Sequence, residues 1–264
     1  MSQWQTFDDV ADIYDRVRAP VHAAPARDLV DLVAPPRGAR VLDVGTGTGV
    51  AAEAAAAAVG PEGFVVGIDP SLPMLRLALP RHPHVLAAQA IDLPFRDETF
   101  DAVLANFVIA FFTKYDTALF DMLRVLRRGG TLGVTWWGGG PDEFSRTWTE
   151  LAETFATREL LRDAVQKAIP WNQHFRDRHR LEETLRDARL REVQVYRRQY
   201  RSTMSQADYL AGREASSEGR SLRATLGGTL WDRFRERAAD AFSERFPDPL
   251  GDTNEVLIAV GTKD

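Results

Sequence analysis

The residues whose types and spacing suggest chemistry begin at Ala39. The run ARVLDVGTGTGV, Ala39–Val50, sets Val41, Leu42 and Val44 around Asp43 and then places glycines on alternate positions at Gly45, Gly47 and Gly49. An alanine-rich stretch, Val50–Val59, follows and meets Gly60-Pro61. Apolar run, glycines and strong helix former predict a strand, a tight loop and a helix. Gly60-Pro61 stops the helix, because glycine accepts the left-handed C-cap and proline cannot continue the ladder. Without Cβ atoms the loop backbone can close on a ligand, and a strand–loop–helix context is what gives such a motif meaning. A second apolar run, GFVVGID, ends in Asp69, 20 positions after Gly49. At the end of the next parallel strand, an ionised carboxylate accepts hydrogen bonds from both hydroxyls of a ribose. The expected ligand is therefore an adenosine derivative. A nicotinamide dinucleotide motif would put a small residue sixth, counting from Gly45, where this chain has the branched Val50, and that opposes close helix–strand packing.

Four blocks then occur in order: VLDVGTGTG, GIDPSLPMLRLA, LPFRDETFDAVLANFVI and LRVLRRGGTLGV. In this the chain resembles the class I S-adenosylmethionine-dependent methyltransferases, and among them the ubiquinone and menaquinone biosynthesis branch (methyltransferase type 11). The likeness covers roughly Tyr14 to Trp137 and returns at the C-terminus. It implies an α/β fold: a doubly wound, mostly parallel seven-stranded sheet of the Rossmann-like methyltransferase type, its last strand antiparallel, with an inserted helical cap over the active site. It implies S-adenosyl-L-methionine as cofactor. In the family the leading segment often covers the cofactor, and Tyr14 is the matching hydroxyl. Gly45 and Gly47 would approach the methionine moiety, with Thr46 and Thr48 adding hydroxyl bonds. Asp43 would orient the loop or sit near the ammonium group, or else be purely structural. Pro70 and Met74 would pack near adenine, although Met74 suits a helix core equally. The family pattern has an acidic or amide residue four before the Leu of LPF, then a small one. Here these are Gln89 and Ala90; glutamine offers both donor and acceptor to an adenine edge. This departs from the commoner Asp, and Asp92 is the second candidate. Asn106 matches the polar position closing on the methionine end, and Phe107–Phe112 either lines the route to the substrate or starts a buried helix.

The elements that must hold these residues alternate. Strands are predicted at Arg40–Val44, Phe64–Ile68, Val85–Ala88, Asp101–Ala105 and Thr131–Trp136, with helices between them, including Ser71–Leu79 and Asp116–Leu126. That alternation predicts a parallel sheet covered on both faces, with ligands outside the carboxyl ends of its strands. Ahead of it, Trp4–Val17 has apolar residues at helical spacing, Pro20 is expected to end that helix, and Pro25–Val33 forms another. After the break at Gly138–Pro141 come helices over Glu143–Thr157, Arg158–Ile169 and Arg176–Arg189, an edge strand over Arg191–Arg201, helices over Ser205–Arg213 and Thr229–Phe246, and an apolar strand, Glu255–Gly261. The chain divides into 1–137, the leading helices with the cofactor-binding half; 138–190, the cap insert; and 191–264, the rest of the sheet with a further cap segment near 205–225. Phe144, Trp148, Phe155, Trp171 and Phe175, with Phe111 and Phe112, would line an apolar chamber beneath the cap or merely glue its helices together.

Composition limits the chemistry. The 264 residues include no cysteine, which removes disulfides, thiolate metal sites and cysteine nucleophiles. A net charge of −5 supplies no basic field for nucleic acid. The opening MSQWQTFDDV lacks a signal pattern and the longest apolar run is too short to span a bilayer, so a soluble cytoplasmic protein is expected. Of five histidines, His22, His174 and His179 are the plausible bases; His174 ranks first because Pro170, Trp171 and Phe175 surround it in sequence. The function expected is methyl transfer from S-adenosylmethionine, in line, to O, N or C of a small, apolar or aromatic molecule. The alternative is a protein of this fold that binds the cofactor without transferring methyl, such as a cyclase or a regulatory binder. A nicotinamide oxidoreductase ranks third, on fold analogy alone. No metal is expected, since no histidines are paired as in H-x-x-x-H. Chelation should therefore leave turnover unchanged; a loss restored by magnesium would overturn this.

Overall fold

The structure, a computed structural model, describes residues 7–264; Trp4 of the expected first helix lies outside the described residues. The chain opens with a 3-10 turn at Asp8–Val10, the single helical turn α1 (Ala11–Ile13), a π-helical stretch at Tyr14–Arg18 and α2 (Ala19–Val33). Then follow β1 (Arg40–Val44), α3 (Val50–Val59), β2 (Phe64–Asp69), α4 (Leu72–Ala78), β3 (Val85–Ala87), β4 (Phe100–Asn106), α5 (Tyr115–Val125) and β5 (Leu126–Trp137). The insert comprises α6 (Glu143–Ala152), α7 (Arg158–Ala168), the short α8 (Asn172–Phe175) and α9 (Arg178–Asp187). After β6 (Leu190–Met204) come α10 (Gln206–Ala215), α11 (Ser217–Leu226), α12 (Gly228–Arg245) and β7 (Leu250–Lys263).

The seven strands lie in the order β3-β2-β1-β4-β5-β7-β6. The first five run parallel, and β7 inserts antiparallel between β5 and β6. Strand order reverses at β1, flanked by β2 and β4, and there an open α/β sheet leaves its crevice. The expected doubly wound, seven-stranded sheet with an antiparallel final strand is what the structure shows. The β6–β7 pairing continues beyond the end of β5, from Gln199↔Glu255 to Met204↔Leu250. It thereby carries Ser202 and its register partner Asp252 out toward the cap helices.

Pro20 does not end the leading helix. The amide of Ala19 donates to the carbonyl of Tyr14, a π-helical bond, and Pro20 follows directly in α2, so the wider π turn takes the proline without ending the helix. The face Tyr14, Arg18, Val21 and His22 turns toward the carboxyl end of the sheet. Elsewhere the loop after β3 is anchored by a buried-edge polar cluster. Arg124 of α5 donates to the carbonyls of Leu93 (2.9 Å) and Phe95 (2.8 Å), and Asp121 accepts from the Leu93 amide.

The glycine loop shows why its residues are glycines. Gly45 has φ +69°, and a Cβ there would stand 2.4 Å from Cγ2 of Val108. Gly45→Ala should thus destabilise the fold by about 1–3 kcal/mol, from overpacking added to left-handed strain. Urea denaturation of Gly45→Ala and of Gly45→Ala/Val108→Ala checks this: the double variant should recover the packing part only. Unchanged stability in the single variant would refute it.

Candidate functional site

Two loops meet at Asp69. One carboxylate oxygen accepts the Gly47 amide at 3.0 Å, and the other accepts the Ser71 amide at 2.9 Å. The end of β2 is thereby tied both to the β1–α3 loop and to the N-cap of α4, where the Ser71 side chain accepts from Met74. Asp43, fully buried in β1, accepts the Thr46 hydroxyl at 2.6 Å and holds the loop from below. Burial pushes both carboxyls up to about 6, against the hydrogen bonds they receive. Gly47 has φ +55°, and a Cβ there would meet nothing nearer than Cε1 of Tyr14 at 3.9 Å. This side of the loop faces open space.

That space is a cavity of about 350 Å³ bounded by the loop, Asp69, Met74 and Asn106 below and by the leading helix and cap above. The Tyr14 hydroxyl and Nδ1 of His22 are 3.0 Å apart. His22 stacks on Phe107 (ring centroids 4.4 Å apart), and Phe107 lies against Trp137 at the same spacing. Burial, then the nearby Arg18 charge, pushes the His22 imidazole down to about 3, and burial raises the Tyr14 phenol; both stay neutral at physiological pH. Phe107 occupies a left-handed conformation, φ +54°, which is strained for an aromatic residue. Its amide donates to Thr135 Oγ1 (2.9 Å), and that hydroxyl donates to Asn106 Oδ1 (2.7 Å). The Asn106 carbonyl is thus occupied, and its amide NH2 is the end left to act in the cavity.

The expected residues separate into groups. Tyr14, Gly45, Gly47, Asp69, Met74, Asn106 and Phe107 border the large cavity, while Asp43, Thr46 and Thr48 lie beneath the glycine loop. Pro70, Gln89, Ala90 and Asp92 do not border it; they sit on the loops after β2 and β3, with Pro70, Gln89 and Asp92 exposed. His174 is a correction. Its Nε2 pairs with Thr184 Oγ1 at 2.9 Å and its ring stacks on Tyr115, so it belongs to the packing of α8 and α9 on α5 and does not reach the cavity. The apolar neighbours that singled it out in sequence, Trp171 and Phe175, pack on Tyr115 as well.

Of the two readings of the cap aromatics, chamber or glue, the structure takes the second for the cap helices. Trp148 and Phe155 pack on Phe234, and Phe144 packs on Tyr209, Phe242 and Phe246. These residues glue the cap; of the seven expected, Phe111 alone lines the cavity. Polar groups also line the cavity: Arg18 of the leading helix, Arg176 and Arg213 of the cap, and Ser202 and Asp252 of the β6–β7 extension. Sequence reading missed these arginines because an isolated arginine in a helix reads as a solvated face. The one available signal was the four-residue spacing of Tyr14, Arg18 and His22.

A methyltransferase domain model matches residues 42–134. The chain is 34% identical over 187 residues to a demethylmenaquinone methyltransferase of Streptomyces avermitilis, covering 63% of this chain and 71% of that protein. The chain belongs to the S-adenosylmethionine-dependent methyltransferase family. Another family member, a demethylmenaquinone methyltransferase of Roseiflexus castenholzii, is 42% identical over 107 residues, 39% of this chain and 44% of that protein; the chain thus spans less than half the length of this relative. The methyltransferase fold is shared with a SAM-dependent methyltransferase from Thermotoga maritima, at a TM-score of 0.57 and 21% identity over 99% of this chain and all of that one.

A carboxyl raised to about 6 is ionised above that pH and protonated below it. S-adenosylhomocysteine affinity should therefore be flat above about pH 7 and fall as pH drops through 6, where Asp69 loses acceptor capacity. Asp69→Asn should bind about 2 kcal/mol more weakly and lose the Asp69 part of that pH dependence. A wild-type affinity that stays flat to about pH 5 would contradict this.

Proposed function

We propose that this chain transfers the methyl group of S-adenosylmethionine to a small molecule held between the carboxyl edge of the sheet and the cap helices. The observation that carries this reading is the alignment of three features around one cavity. They are a half-buried carboxylate at the end of β2, a glycine loop whose Gly47 faces open space, and a polar and aromatic chamber beyond Asn106. A cavity of about 350 Å³ is within the range of small-ligand sites. The residues present fit the cofactor. Asp69 takes the ribose hydroxyls with the lone pairs left after Gly47 and Ser71. The Gly45–Gly49 backbone and the Asn106 amide hold the methionine end, and Tyr14 closes over it. Met74, lining the cavity, and Pro70, Gln89, Ala90 and Asp92, on the loops beside it, would hold the adenine end.

When bound, the cofactor supplies an electrophilic methyl on a sulfonium. The protein's task is to orient and to exclude water. Phe7, Phe111, Trp136 and Trp137 provide flat apolar walls for the acceptor. The wedge of Phe107 between His22 and Trp137 fixes the floor. His22 replaces His174 as the histidine at the chemistry. Kept neutral by burial, it holds the Tyr14 hydroxyl in place and adds no positive charge beside a sulfonium. A quinone-like or phenolic acceptor suits such walls, and relatives named as demethylmenaquinone methyltransferases agree with that class.

Gly47→Val should abolish binding of S-adenosylhomocysteine, because a branched side chain would fill the open face and strain a φ of +55°. Wild-type protein given radiolabelled S-adenosylmethionine and a panel of phenols and quinols should label an acceptor. Tight cofactor binding by folded Gly47→Val would place the cofactor elsewhere.

A further inference from the structure

The polar wall holds hydrogen-bonding groups without partners that the cofactor contacts do not address. Arg18 projects from the π-helical stretch toward α10, with its Nε 3.7 Å from where a Gly212 Cβ would lie. It makes no hydrogen bond or ion pair with any described residue. Burial lowers its pKa first and repulsion from Arg213 adds to that, against weaker pulls from Tyr209, Tyr14 and Glu218. Arg213 is itself buried, paired with Glu218 at 3.0 Å and set over the Trp148 ring, yet its Nε has no partner. The buried hydroxyl of Ser202, on the extended β6–β7 pair, is also unpartnered.

The nearby acids are each engaged. Glu218 pairs with Arg213, Glu255 pairs with Arg197 at 3.3 Å and accepts from Gln199 at 3.1 Å, and Asp252 accepts from the Thr253 amide at 2.7 Å and the Asn254 side chain at 2.6 Å. Asp142 caps α6 through the Ser145 amide. Donors therefore lack partners here while the acceptors have them. Two neighbouring, partly desolvated guanidinium groups repel unless an acceptor lies between them, and a buried donor atom without a partner, as at Arg213 Nε, is costly. The missing partner is an acceptor, and a charged one, since Arg recognises carboxylate and phosphate with its planar fork.

We propose that Arg18, Arg213 and Ser202 form the seat of an anionic group, a carboxylate or phosphate, carried by the methyl acceptor. The proposal rests on the cofactor reading above. The seat lies against α10 and the β6–β7 extension, whereas the loops that hold the cofactor lie at the ends of β1, β2 and β4. An acceptor would thus present an aromatic body to Phe111 and Trp137 and its anion to the arginines, so that charge pairing at one end orients the nucleophilic atom at the other.

Calorimetry on wild-type protein saturated with S-adenosylhomocysteine tests this with benzoate and phenyl phosphate as probes and benzamide as the neutral control. At least one anion should bind, and benzamide at least about tenfold more weakly, the scale of a lost charge-assisted bond. Arg18→Met should bring the anions down to benzamide's affinity while leaving that for S-adenosylhomocysteine unchanged, and Arg18→Lys should keep part of the preference. Equal affinity for anion and amide in the wild type, or no binding of either anion, would overturn the proposal without any variant having to fold. Weakened S-adenosylhomocysteine binding in Arg18→Met with an unchanged anion preference would overturn it too, by assigning the arginine to the cofactor's own carboxylate. Wild-type protein that fails to bind S-adenosylhomocysteine would instead refute the cofactor reading, and this inference with it.

Discussion

Asp69 accepts one amide from the loop after β1 and another from the loop after β2, with one oxygen for each. Backbone amides in a tight loop must be satisfied or solvated, and here a single carboxylate does this for two loops at once. The consequence is geometric. Gly47 is held with its open side toward the cavity, and Ser71 is held where it can cap α4. A carboxyl so buried is pushed up to about 6, a cost tolerable only where the two amides, and in our reading the ribose hydroxyls, offset it. Site residues with perturbed ionisation are the common sign of that arrangement.

The cap follows a different logic. Its helices carry charged outer faces and meet through aromatic side chains, Trp148 with Phe234 and Phe144 with Tyr209 and Phe242. Large aromatics bury much area and hold short helices together, which suits a cap of helices of 18 residues or fewer. With the aromatics used as glue, the surface the cap turns to the sheet is polar. Arg18 and Arg213 line the same chamber as Phe111, Trp136 and Trp137, so it combines charged and aromatic groups.

Strain and burial concentrate where these two sides join. Phe107, at φ +54°, sits between His22 and Trp137, and its amide is held by Thr135. A left-handed aromatic persists only when its surroundings over-determine it. The stacking partners and the Thr135–Asn106 chain supply that determination, and they fix the direction of the Asn106 side chain.

The sequence by itself determined the parts that depend on neighbours along the chain. Gly45, Gly47 and Gly49 before an alanine-rich helix, Asp69 at the end of the next apolar run, and the alternation of strands and helices are local patterns. Local propensity and sheet handedness leave them few alternatives, and the seven-stranded sheet and its antiparallel last strand followed from the likeness they carry; the strand order came from the structure. Helix ends went astray where a local rule met an unusual turn, as when the π-helical bond from Ala19 to Tyr14 let the leading helix run on past Pro20. Tertiary structure alone decided which side chains meet across the cavity. It sent His174 to Thr184 and brought His22 to Tyr14. It decided between chamber and glue for the cap aromatics, because Phe144, Trp148 and Phe155 found partners on α10 and α12 that lie far away in sequence. It also left Arg18 beside Arg213, nearly 200 residues apart along the chain, a juxtaposition no periodicity encodes. Contacts of that kind arise from how whole elements pack, and a pattern of nearest neighbours does not contain them.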